Sequence, residues 1–324
     1  MTPAVNGRLQ DPSTLANEGR EWLQRFLGPT SLDTFFERFW ERKHLYIPAD
    51  DPSAYTDLLS LSEFDAFLAR NDVRYPALQI VKDGRNVSLG DYARQLKIGS
   101  YSSDGLVDMD LVAQAYRKGA TVIVQLMQNS FARLAEFSTA LGSFFRSKID
   151  VHGFLTPAAA QGLSAHYDAA SAFLIQLRGE KRWRLYEMEV EAPAPDQTFD
   201  ARNPIKGDPI DEITLRSGDV VYLPKGLPHE GLTIESASLH LTVVIFPKSW
   251  IEILSLVLRE CQKNEEFRKT AVPPLVSTRN GVDLAKTWAM LVQQFTAQTG
   301  ATVWSTIADI PQVVSPRSRR GRWT

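Results

Sequence analysis

Apolar and polar positions change rhythm twice along the chain. Up to about residue 145, apolar residues recur at three- and four-residue spacing, the mark of helices with one buried face. This spacing predicts helices over Glu21–Leu27, Leu32–Lys43, Glu63–Arg70, Val107–Lys118 and Phe131–Phe145. Ser31 is placed to cap the second and Asp33 favours its first turn; Ser62 starts the third and Gly119 ends the fourth. Residues 76–104 read as short strands with turns, and Thr121–Leu126 reads as a buried strand. Residues 1–13 are polar, with Pro and Gly, and are expected to be loose. From about Lys148 to Pro247 the apolar residues fall in short runs broken by Gly and Pro, the signature of an all-β region. Helical spacing returns at Trp250–Cys261 and Val282–Phe295. Leu254, Val257 and Leu258 in the first, and Leu284, Trp288, Leu291 and Phe295 in the second, form apolar stripes that need cover.

The pattern divides the chain into a mostly helical region (1–118), a β-rich core (119–248) and a helical region with a basic end (249–324). The fold class is α+β with a mainly-β core. Within that core, residues 189–212 are rich in Pro and Asp and read as a long polar loop, either solvated or a lid beside a site.

The core also carries the candidate chemistry. His166 and Asp168 are two apart, so on a strand they face one way. Behind them come Phe173, Leu174, Ile175 and Leu177, a turn at Arg178-Gly179-Glu180, and a second strand from Trp183 to Tyr186. A second element repeats the plan, with Val220–Leu223, a Pro-rich turn over 224–228, and then His229. A histidine in an apolar stretch is more often a core residue than a ligand. Two hairpins that offer H-x-D and His at their strand ends, however, make the double-stranded β-helix arrangement of cupins. Two imidazoles and one carboxylate suit Fe(II) and leave positions open for O₂ and a cosubstrate. His166, Asp168 and His229 are therefore the expected metal ligands and catalytic centre.

Composition narrows the setting. With 44% apolar and 23% charged residues the chain is an ordinary globular protein, and its net charge of −2 offers no basic field for nucleic acid. The single cysteine, Cys261, excludes an internal disulfide and a Cys-based metal site, which fits a reducing cytoplasm. No apolar run is long enough for a membrane helix, and the first residues lack a signal pattern.

The ordered motifs resemble the JmjC-type 2-oxoglutarate oxygenases, in particular the branch that includes the ribosomal oxygenases. They are FFERFWERKHLYI (35–47), GATVIVQLMQNSFARLAEFSTAL (119–141), FLTPAAAQGLSAH (154–166), HYDAASAFLIQLRGEKRWRLY (166–186), GDVVYLPKGLPHEG (218–231) and SLHLTVV (238–244). The resemblance implies Fe(II), 2-oxoglutarate and O₂, and hydroxylation of a peptide or protein side chain. It places Lys181 where the family has a cation for the far carboxylate of 2-oxoglutarate. His152 stands where relatives commonly have Asn, and Val244 where they often have Ser; His240 and Thr242, on the strand face of Val244, are expected to supply polar contacts instead. Ribosomal oxygenases follow the barrel with a dimerisation region and a winged helix. About 75 residues follow it here, room for the helical region and a homodimer but scarcely for a winged helix. That leaves open a small-molecule or carrier-bound amino-acid substrate, and, in another class, a non-catalytic cupin binding module.

Overall fold

A computed structural model describes residues 4–5, 8–9, 11–70, 72–269, 286, 288–293 and 295. The described residues form two compact units, one up to Phe246 and one from Pro247 onward.

The first unit opens with a short ladder, β1 (Ala4–Val5) with β2 (Arg8–Leu9), and then helix α1 (Pro12–Leu27). Helix α1 begins well before the predicted Glu21. Asp11 caps it by accepting from the Ser13 amide, and Pro12 sits where its missing N–H costs nothing. Its first turns bury little beyond Leu15 and Gly19, so the apolar spacing there was faint. Helix α2 (Leu32–Arg38), capped by Ser31 as expected, stops short of Lys43. The chain turns at Glu41, φ +54°, whose N–H donates to the Tyr222 hydroxyl at 2.9 Å. That turn delivers β3 (Leu45–Ile47) to a sheet edge. Helix α3 (Leu61–Leu68) is capped by Ser60 rather than Ser62, because Ser60 and Glu63 close a capping box.

Strands β4 (Leu78–Lys82) and β5 (Arg85–Asn86), and the hairpin β6 (Ala93–Ile98) with β7 (Tyr101–Val107), precede α4 (Met109–Arg117). Then follow β8 (Thr121–Val124), α5 (Ala132–Phe145) and the strands of the core. These are β9 (Lys148–Thr156), β10 (Ser171–Arg178), β11 (Glu180–Leu185), β12 (Asp211–Arg216), β13 (Val220–Leu223), β14 (His229–Leu232) and β15 (Ser238–Phe246).

An eight-stranded antiparallel sheet runs β3-β13-β10-β15-β9-β8-β4-β5, and a three-stranded one runs β12-β11-β14. This is the double-stranded β-helix the sequence predicted, with helices before it. Strand β10 is buried on both faces, which is why it reads as an unbroken apolar run. On one face Phe173 and Ile175 join Leu23, Phe26, Phe35 and Tyr222 under the N-terminal helices. On the other face Leu174 meets Trp183, Leu185, Ile213 and Leu215 of the small sheet.

In the second unit, α6 (Trp250–Cys261) has a capping box at Ser249 and Glu252, and α7 (Glu265–Arg268) follows. Residues 286, 288–293 and 295 are helical, within the predicted Val282–Phe295. Leu284 and the basic run 316–324 lie outside the described residues.

Phe35 is fully buried between Phe36, Trp40, Phe173 and Tyr222, with ring centroids 4.9–5.9 Å away. Phe35→Ala should lower the free energy of unfolding by about 3–5 kcal/mol, read from urea melts.

Candidate metal centre

His166 and His229 face each other across an isolated antiparallel bridge. The His166 amide donates to the His229 carbonyl at 3.1 Å and the His229 amide to the His166 carbonyl at 2.8 Å. The two rings therefore lie close, with centroids 4.8 Å apart. Each Nδ1 faces a carbonyl two residues back: His166 reaches Ser164 at 2.8 Å and His229 reaches Leu227 at 2.9 Å. With Nδ1–H donating there, Nε2 keeps its lone pair, the usual arrangement of metal-binding imidazoles. The carbonyl of Asp168 accepts from the Gly226 amide at 2.8 Å, and its carboxylate lies 3.9 Å from His229 Nε2. Ligand atoms of His166, Asp168 and His229 all lie within 4.8 Å of one another. Burial, reinforced by the neighbouring His166, pulls the His229 pKa down to about 4, so its imidazole is neutral and ready to ligate at ordinary pH. The donor set, two imidazole nitrogens and one carboxylate oxygen, with each ring held at Nδ1 by a backbone carbonyl, fits Fe(II) or a similar divalent ion.

Behind this cluster lies a dry interior. Lys181 is buried, and its Nζ donates to Thr156 Oγ1 at 3.2 Å and sits 5.2 Å from the Trp183 ring centre. Thr121 donates in turn to Thr156 at 3.1 Å. Desolvation alone lowers the Lys181 pKa to about 7, with no carboxylate acting on it. His240 stacks on Phe154 at 4.9 Å and meets the edge of Trp183 at 5.2 Å. Its Nδ1 and the Trp183 Nε1 are buried without a hydrogen-bond partner. A buried amine without an anionic partner, beside two unpaired polar atoms, is an arrangement that a polar, anionic ligand would complete.

Residues 125–253 match the JmjC domain family. Over 268 residues the chain is 30% identical to the bifunctional lysine-specific demethylase and histidyl-hydroxylase NO66 of Aedes aegypti, covering 79% of this chain and 40% of that protein. Over 257 residues it is 30% identical to ribosomal oxygenase 1 of Gallus gallus, covering 78% and 41%. Residues 125–253 thus carry a JmjC domain, and the chain is similar to the ribosomal-oxygenase-like proteins that share it. It spans about two fifths of the length of these curated relatives. Among solved structures, YcfD, a ribosomal oxygenase from Escherichia coli in complex with cobalt and 2-oxoglutarate, superposes with a TM-score of 0.50 at 18% identity, covering 84% of this chain and 67% of that one. That likeness establishes the shared fold.

Within the JmjC domain, the structure brings His166, Asp168 and His229 together and sets Lys181, His240 and Thr242 in the buried interior. His152 lies opposite Thr242 in the β9–β15 register, its Nδ1 accepting from the Leu126 amide at 3.3 Å; burial lowers its pKa. Val244 pairs with Asp150 and Ala172. Sequence reasoning gave no role to Gly231, yet a Cβ there would come 2.7 Å from Lys181 Cε and 3.0 Å from the Trp183 ring. It also missed Thr156, whose only signal was its distance of two residues from Phe154 on one strand face. Phe199, in the 189–212 loop, reaches the centre: its ring lies 6.5 Å from His166 and 5.6 Å from Tyr167.

The depressed Lys181 pKa sets a pH dependence. Between its ordinary 10.5 and about 7 the unfolded chain holds a proton that the fold does not, so stability rises with pH through that window. His229 contributes the same sign between about 4 and 6.5. Lys181→Met should therefore be more stable than the parent near pH 7 without ligand, and should lose the upper rise. Urea melts at stepped pH measure both effects.

Proposed function

We propose that this chain is an Fe(II)- and 2-oxoglutarate-dependent oxygenase that hydroxylates a side chain of a peptide or protein. One observation carries the reading: a two-His, one-carboxylate cluster converges beside a buried lysine that has no anion. The relatives' names, histidyl-hydroxylase and ribosomal oxygenase, and the cobalt and 2-oxoglutarate of YcfD support it. Bound iron supplies activation of O₂, coupled to decarboxylation of 2-oxoglutarate to succinate and CO₂. His166, Asp168 and His229 would hold the ion, with the carbonyls of Ser164 and Leu227 fixing the imidazoles. Lys181, protonated as it meets the cosubstrate's far carboxylate, provides a charge-assisted hydrogen bond in a site with little water. Phe154, Trp183 and His240 wall that end of the pocket and exclude water. Asp168 is the half-exposed member of the triad and marks the side from which a substrate arrives. Phe199 and Tyr167 stand beside that opening.

A non-catalytic cupin has no use for a converged triad next to an unpaired lysine. A metal-dependent cupin that works without 2-oxoglutarate has no use for Lys181. Carrier-bound or free small molecules remain the second substrate class. The relatives' names also include lysine demethylation, which begins with the same attack on a C–H bond and differs in the carbon attacked. The proposed setting is cytoplasmic, without nucleic-acid or membrane partners. The proposed assembly is a homodimer through α6, whose Trp250, Ile251, Leu254 and Leu258 are exposed while Ile253 and Val257 are buried.

Anaerobic Fe(II) titration should give one tight site in the parent and none in His166→Ala; equal binding by both would falsify the ligand assignment. Lys181→Ala should lose about 2–5 kcal/mol of 2-oxoglutarate binding, the cost of removing one partner of a buried charge pair, with iron affinity nearly unchanged. Mass spectrometry of peptides from the native host should find a gain of one oxygen atom; loss of a methyl group with release of formaldehyde would mean demethylation instead. Light scattering should show a dimer that Leu258→Glu converts to monomer, and a parent protein already monomeric at micromolar concentration ends the dimer proposal.

A further inference from the structure

His229 and Gly231 face the interior of β14, and the residue between them points the other way. Glu230 is not idle there. Its Oε1 accepts from the Tyr186 hydroxyl at 2.7 Å and lies 3.5 Å from Arg184 Nη1. Its Oε2 accepts from Gln161 Nε2 at 2.6 Å. The carboxylate is mostly buried, with 12% of its side chain exposed. It thus joins three pieces of chain: β14, the end of β11, and the segment that runs up to His166.

That segment needs a fastening. Gln161 pairs with Leu232 and His166 pairs with His229, both antiparallel. Between those bridges the first strand advances from 161 to 166 while its partner advances only from 232 to 229. Two residues are in excess, so regular pairing is lost over 162–165, a bulge immediately before the metal cluster. Ser164, which fixes the His166 ring through its carbonyl, lies inside the bulge. On its outer flank the bulge is held by the β4–β5 turn, where the Asp83 amide donates to the Gln161 carbonyl at 3.2 Å and the Gly84 amide to the Gly162 carbonyl at 2.7 Å. On its inner flank the Gln161 side chain binds Glu230 and also donates to the Leu163 carbonyl at 3.3 Å.

We propose that Glu230 is a positioning residue of the metal centre: through Gln161 it locks the bulge that carries His166 against the strand that carries His229. This rests on His166, Asp168 and His229 being the ligands. Glu230 touches neither metal nor substrate. It sets the distance and ring orientation between two ligands that reach the site from different segments. Partners of this kind, one step beyond the ligands, typically change metal affinity by roughly 10–100-fold when removed.

The test uses the whole chain and Co(II) alone, titrated by absorbance, with the thermal midpoint of the metal-free protein as the stability control. Glu230→Ala and Gln161→Ala should each bind Co(II) at least about tenfold more weakly and alter its absorption bands. Glu230→Gln should stay close to the parent, because its amide can accept from Gln161 and donate to the Tyr186 oxygen. Should Glu230→Ala fail to fold, Gln161→Ala leaves the carboxylate in place and reads the same link. Parent-like Co(II) affinity in Gln161→Ala overturns the proposal, as does a Glu230→Gln variant as weak as Glu230→Ala. If His166→Ala itself binds Co(II) normally, the ligand assignment has failed, and that failure is separate from any result at Glu230.

Discussion

Everything at the centre depends on the two hydrogen bonds exchanged between the backbones of His166 and His229. These residues are 63 positions apart, and they come together because β10, β11, β13 and β14 are laid into two facing sheets. The bridge places both Cβ atoms on one side, and each ring is then fixed by a carbonyl two residues earlier. Asp168 joins by continuing the same segment, held by the Gly226 amide. A cluster assembled by backbone pairing tolerates much sequence change in the surrounding strands, provided that the register survives.

The second constraint is dryness. The inner face carries Lys181, His229 and His240, and burial disfavours the charged form of all three. For His229 this helps, since a neutral imidazole is the ligating form. For Lys181 it is a strain that a carboxylate relieves, because a buried cation gains far more from an anion than an exposed one does. Gly231 belongs to the same constraint: the lysine stem and the Trp183 ring occupy the volume that any side chain at 231 would fill.

Much of this was legible in the chain. The short apolar runs broken by Gly and Pro pointed to the strands of the core, and the H-x-D and the later His pointed to three side chains that the fold brings together, because ligand chemistry limits which residues can serve. Lys181 was singled out by the family resemblance, and the structure shows it buried. The less legible features are those set by neighbours distant in sequence. The start of α1 depends on a cap at Asp11 and little burial, so no apolar stripe announced it. The turn after α2 is held at Glu41 by the Tyr222 hydroxyl, 181 residues away. Thr156, Gly231 and Glu230 matter through contacts across strands, and their residue types say nothing of that. His166 sits on an isolated bridge beside a bulge and Asp168 follows it outside any regular strand, so the alternation argument pointed to a pair that converges through a geometry it did not describe.

The loop over 186–210 joins β11 to β12, and those two strands are fully paired from Glu180 with Arg216 to Leu185 with Asp211. A connection closed by such a hairpin can change length at little thermodynamic cost, since the entropy of closure grows only as the logarithm of its length. Its interior is anchored where Val190 and Pro193 pack over Gly226, and its Phe199 reaches His166. His229 and Lys181 belong to the small sheet and His166 is bridged to it, while Phe199 beside the opening belongs to this exchangeable segment. Divergence in what the barrel admits can therefore accumulate in the loop while the backbone pairing at the centre stays in register.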